Sequence, residues 1–176
     1  AGFTHWAKLN NLKQAAKTMN FLTEHGISSY GELESKLTAI SARRDTAHAE
    51  IKRIESRSAE LALVMKHAGT YRQLKPLYDR YRKSNDKEKF LRGHESEIIL
   101  FEAAARELKR LGAVPLPTTE SMKTELANLN AEKERLLAEY KAARTEAQEY
   151  ETVKQNVDAL LTVPKEQEQQ RRHELE

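Results

Sequence analysis

Two stretches of the chain place apolar residues at alternating steps of four and three. The first runs Leu33, Leu37, Ile40, Arg44, Ala47, Ile51, Ile54, Ser58, Leu61, Met65, Ala68, with two polar interruptions. The second runs Met122, Leu126, Leu129, Lys133, Leu136, Tyr140, Ala143, Ala147, Tyr150, Lys154, Val157, Leu161. The spacing averages about 3.5 residues, the repeat of a coiled-coil seam rather than of a strand. An all-α chain is predicted, with helices at about 4–25, 30–69, 70–83, 87–111 and 119–162.

Punctuation supports those limits. Gly26 sits where a left-handed residue ends a helix, with Ile27 as its apolar follower. Ser29 with Glu32 resembles a capping box, which starts the second helix near Tyr30. Pro76 predicts a kink or a fresh helix start, and Ser84-Asn85-Asp86 a turn. A short helix through Phe90 and Leu91 then precedes a longer one from Glu95, ended by Gly112. Pro115 and Pro117 bar continuation, and Thr118 is placed to cap the last long helix. In the first helix the apolar face is Trp6, Leu9, Leu12, Ala16, Met19 and Leu22.

A solitary long helix buries nothing, so each seam needs a partner. Antiparallel pairing of residues whose numbers add to 194 aligns every step. It sets Leu33 against Leu161, Leu37 against Val157, Ile54 against Tyr140 and Met65 against Leu129. In that register Arg44 meets Tyr150 in a cation–π contact, Ala47 meets Ala147, and Ser58 meets Leu136. A shift of one heptad also keeps the seams in phase. The expected fold is a long antiparallel coiled-coil hairpin, with a small helical head at about 70–118 and an N-terminal buttressing helix. It forms a single elongated domain over 1–164, and a polar tail, 165–176, frays or is disordered. A monomer is preferred, and a parallel homodimer is the competing arrangement.

Charged residues make up 32% of the 176 positions and apolar ones 39%, which suits helices with much exposed surface more than a deep core. No apolar run approaches the ~20 residues of a membrane span. The absence of cysteine excludes disulfides and thiolate metal sites and fits a cytoplasmic setting. Ala1-Gly2 without an initiator Met reads as part of something larger, and Leu175-Glu176 as a vector-derived end. The six histidines form no pair with metal-ligand spacing. His94-Glu95-Ser96-Glu97 is read as a helix start with acids in its first turn, where the helix dipole favours them; a metal enzyme built on His94, Glu95 and Glu97 is the rival view. No catalytic residue, cofactor or metal is expected.

One segment departs from the mixed-charge background. Between Thr70 and Gly93 lie eight basic residues against Asp79, Asp86 and Glu88, a local net of +5 beside +3 for the whole chain. Tyr71, Tyr78, Tyr81 and Phe90 are interleaved. Cations that track a phosphate backbone and rings on which bases stack are the chemistry of single-strand binding. The candidate nucleic-acid residues are Arg72, Lys75, Arg80, Arg82, Lys83, Lys87 and Lys89, with Tyr71, Tyr78 and Tyr81 for stacking. The other reading makes the rings the core of the head and leaves the cations solvated.

Residues 2–16 (Gly2-Phe3-Thr4-His5-Trp6-Ala7-Lys8-Leu9 onward to Ala16), Phe90 to Leu100 and Leu116-Pro117-Thr118 resemble a segment found downstream of the nuclease domain in relaxases of mobilisable and conjugative elements. The likeness extends in order over roughly residues 2–162. It implies a parent enzyme that nicks DNA through a tyrosine with a histidine-held metal, whose catalytic motifs are absent here. What remains is a non-catalytic C-terminal helical domain acting in plasmid or transposon mobilisation. Its implied partners are single-stranded DNA, accessory mobilisation proteins or secretion-channel components. A structural spacer or protein-docking module without nucleic-acid contact is the alternative.

Overall fold

The computed structural model describes the backbone of residues 2–173 and the side chains of residues 10–162. It holds four helices: α1 (Gly2–Glu24), α2 (Tyr30–Lys83), α3 (Lys87–Arg110) and α4 (Thr119–His173). No strand occurs among the described residues, and α2 packs against both α4 and α3. Among the described residues no helix is long and apolar enough to cross a membrane.

The local signals act as the sequence predicts. Gly26 and Gly112 both adopt left-handed φ, 60° and 67°. At each, the next residue donates back five positions, Ile27 N–H to Leu22 O (2.8 Å) and Ala113 N–H to Leu108 O (2.9 Å). Ile27 and Ala113 are buried, so each turn also closes an apolar contact. Ser29 Oγ accepts from Glu32 N–H, while the Glu32 carboxylate reaches one residue further back than a capping box requires, to Ser28 N–H (2.7 Å) and Ser28 Oγ–H (2.9 Å). Thr118 Oγ1 caps α4 by accepting from Ser121 N–H, and Asp86 Oδ1 caps α3 by accepting from Lys89 N–H.

Prolines mark the first departures. The helices expected at 30–69 and 70–83 are one, since α2 passes through Pro76. Helix α4 passes through Pro164 to His173, where a stop near Thr162 and a frayed tail were expected. An internal proline removes one hydrogen bond and crowds one carbonyl, but the flanking Glu, Gln, Lys and Arg residues are strong helix formers. Residues 174–176 lie outside the described residues. The split expected between Phe90–Leu91 and Glu95 is present as a kink, with His94 at non-helical φ −143° and ψ 26° inside α3.

The chain divides into two compact units: residues up to His48 with those from Leu137 onward, and Ala49–Leu136. In the first, Leu33, Leu37 and Ile40 of α2 pack with Ala147, Tyr150, Val153 and Val157 of α4, and Phe21, Leu22 and Ile27 complete the cluster. In the second, Leu61, Val64 and Ala68 of α2 meet Leu108 and Ala113 at the end of α3, and Met122, Leu126 and Leu129 of α4.

Within each unit α2 and α4 run antiparallel, but not in the expected register. Tyr30 donates to Asp158, Lys154 approaches Glu34, and the His48 and Tyr140 rings lie 5.6 Å apart in the first unit. Lys133 pairs with Glu55 at 3.0 Å in the second. The numbers of each pair add to 188, so the register is displaced by about one heptad from 194. Leu161 is therefore no partner for Leu33 and stands 59% exposed. Nor does Arg44 meet Tyr150: Arg44 Nε bonds Asp45, and Tyr150 takes the edges of the Phe21 and His25 rings. A seven-residue slide leaves the apolar pattern in phase, so the flanking pairs and the rings of α1 decide between registers.

Helix α1 packs Leu22 of the expected face into the cluster but not Leu12 or Met19. Leu12 is 69% exposed and Met19 points outward, while Thr18 is buried. Thr18 Oγ1–H donates to Gln14 O and accepts from Asn156 Nδ2–H, and Gln14 Nε2–H donates to Asn156 Oδ1 at 2.6 Å. A polar bridge to α4 thus orients the helix. The Trp6 and Leu9 side chains lie outside the described residues.

Candidate nucleic-acid interface

The candidate residues all lie in the second unit, on the end of α2 and the start of α3, around the turn Ser84–Asp86. Ser84 Oγ–H donates to Asp86 O and accepts Asp86 N–H, and Asp86 then caps α3, so three consecutive polar residues reverse the chain.

The three tyrosines pack among themselves and against α3. Tyr71 and Tyr78 both stack on Phe101, with centroids 4.8 and 4.2 Å away. Tyr81 lies between Tyr78 and Phe90, at 5.9 and 6.0 Å. All three are half-buried. Phe101 thus occupies one face of Tyr71 and of Tyr78, whereas Tyr81 makes only tilted ring contacts. Phe101, the hub, was not singled out from the sequence; its place in the stripe Ile98, Phe101, Ala104, Leu108 was the available signal.

The cations divide into two groups. Arg72 is held by the α3–α4 connection, donating to Thr119 Oγ1 (2.8 Å) and to Pro117 O. Lys75 forms an ion pair with Asp79 at 2.8 Å, and that hydrogen bond holds its ammonium pKa above the usual lysine value. Arg92 lies 3.6 Å from Glu88. By contrast Arg80, Arg82, Lys83, Lys87 and Lys89 are exposed and make no ion pair or side-chain hydrogen bond among the described residues. Three close the last turn of α2 and two open the first turn of α3. Basic residues at a helix C-terminus complement its dipole, whereas Lys87 and Lys89 oppose that of α3.

His94 closes the ring cluster, 4.9 Å from Phe90. Its Nδ1 is buried without a hydrogen-bond partner and lies 3.6 Å from Glu97 Oε1. The Glu97 carboxyl is held below the usual range, first by its own backbone N–H and then by Ser96. Among the described residues no group of three or more acidic or histidine side chains is placed to hold a metal ion. No protein-family model, curated protein or solved structure matches this chain.

Proposed function

We propose that this chain is a non-catalytic helical part of a DNA relaxase, and that it grips nucleic acid by its phosphates at the α2–α3 turn. The observation that carries the proposal is the grouping of five exposed, unpaired cations, Arg80, Arg82, Lys83, Lys87 and Lys89, about one short reversal. The likeness of residues 2–16, 90–100 and 116–118 to relaxase segments supplies the biological setting. With Arg72 and Lys75 engaged and Tyr71 and Tyr78 packed on Phe101, the grip is electrostatic. It carries little base preference and is strongly salt-dependent.

Fluorescence anisotropy with a labelled single-stranded oligonucleotide across a salt series tests this. Joint reversal of Arg80, Arg82 and Lys83 to Glu is expected to lower affinity at least about tenfold and to reduce the salt slope by about 2, near 0.7 per lost phosphate contact. Tyr78→Phe and Tyr81→Phe leave affinity unchanged. Unaltered binding in the triple variant, or no binding at low salt, rejects the interface. The latter result favours the spacer or protein-docking reading, for which the packed tyrosines also speak. The closed hairpin expected from the two seams belongs to the same proposal, and small-angle scattering with a solution mass tests it.

A further inference from the structure

We propose that the outward face of α3 is a self-association surface on which a second copy of this chain docks antiparallel. Beyond the kink at His94, α3 turns Ile98, Phe101, Ala104 and Leu108 inward. The opposite stripe carries Ser96, Ile99, Leu100 and Ala103. Ile99 is 54% and Leu100 56% exposed, and nothing among the described residues covers them. A lone exposed leucine is ordinary. Here two adjacent large side chains flank a midline of small ones, Ser96 and Ala103, which lets another helix approach closely.

Charge selects the occupant. Glu95 stands at the N-terminal end of this stripe and Arg106 toward its C-terminal end. Neither has an ion pair or side-chain hydrogen bond among the described residues. Arg110, a turn beyond Arg106, is already bonded to Glu107. An antiparallel copy brings each Glu95 beside the other copy's Arg106 and sets Ile99 and Leu100 against Ala103, a self-complementary two-fold contact. A parallel copy would set like charge on like. One helix face buries less than the roughly 2,000 Å² of an obligate dimer, so the association is reversible. It involves none of the five turn cations and stands apart from the proposed nucleic-acid grip.

Sedimentation equilibrium of the full chain over a concentration series is expected to show a monomer–dimer equilibrium. Leu100→Lys should weaken it at least about tenfold, or about 1.4 kcal/mol. Glu95→Arg and Arg106→Glu should each weaken it, and the two together should restore it to within about threefold. Because the chain has no cysteine, Ala103→Cys supplies a single thiol near the two-fold axis. Mild oxidation should link it into a dimer, whereas Lys123→Cys on α4 should stay monomeric. Leu100 and Glu95 are exposed, so circular dichroism should be unchanged in these variants. A monomer at every concentration, a dimer indifferent to Leu100→Lys, or a charge swap without rescue overturns the proposal.

Discussion

Glu32 shows how one side chain ties a helix start to acid stability. Its carboxylate accepts from the Ser28 backbone N–H and hydroxyl, and those bonds, the backbone one foremost, lower its pKa. A carboxyl with a depressed folded-state pKa contributes stability above its unfolded-state value and loses it as pH falls through the folded one. The melting temperature of Glu32→Ala should therefore lie below that of the native chain near neutral pH, and the gap should close on acidification. A gap that is constant with pH would show that the carboxylate charge is not involved. Ser29 and Glu32 were legible because capping is local. That the carboxylate would reach past Ser29 to Ser28 was not, since the last degree of freedom belongs to the turn after Gly26.

At the scale of elements, the boundary signals were readable and the register was not. Glycine, proline and capping residues act on their neighbours, so α1, α3 and the start of α4 fell where the sequence placed them. A heptad pattern is unchanged by a slide of one heptad, and both registers satisfy it. What breaks the tie are contacts outside the seam: Arg43 with Glu146, Lys133 with Glu55, and Phe21 against Tyr150. Exposed pairs contribute little each, but here they need only discriminate. Two substitutions check the outcome by thermal or chemical unfolding. Leu33→Ala, in the core, should cost about 2–5 kcal/mol, while Leu161→Ser should stay within about 0.5 kcal/mol. Comparable losses would restore the register in which they face each other. For α1 the apolar spacing misled, because burial follows Thr18 and its bridge to Asn156 rather than Leu12 and Met19.

Over the whole molecule, charge is unevenly shared. The segment Thr70–Gly93 carries +5 of a total of +3, so the remainder is slightly acidic and offers a polyanion little elsewhere. That excess was legible from composition alone. Which cations remain available was only half legible: Lys75 with Asp79 is a helical i,i+4 pair, whereas Arg72 is captured by Pro117 and Thr119, 45 and 47 residues away. The tyrosines are spaced for either role, and Phe101, which stacks on Tyr71 and Tyr78, is brought beside them only by folding.

The two glycine turns offer a matched pair of weights. Apart from its own chain neighbours, neither Gly26 nor Gly112 has a heavy atom within 4 Å of where a Cβ would stand, so alanine at either adds torsional strain and no collision with another part of the fold. Each substitution should cost about 1–2 kcal/mol, one in each unit. If both displace a single melting curve by the same amount, the cores rise and fall together. If each pulls a separate step out of the curve, the cores keep their own counsel, and the two alanines say which step belongs to which.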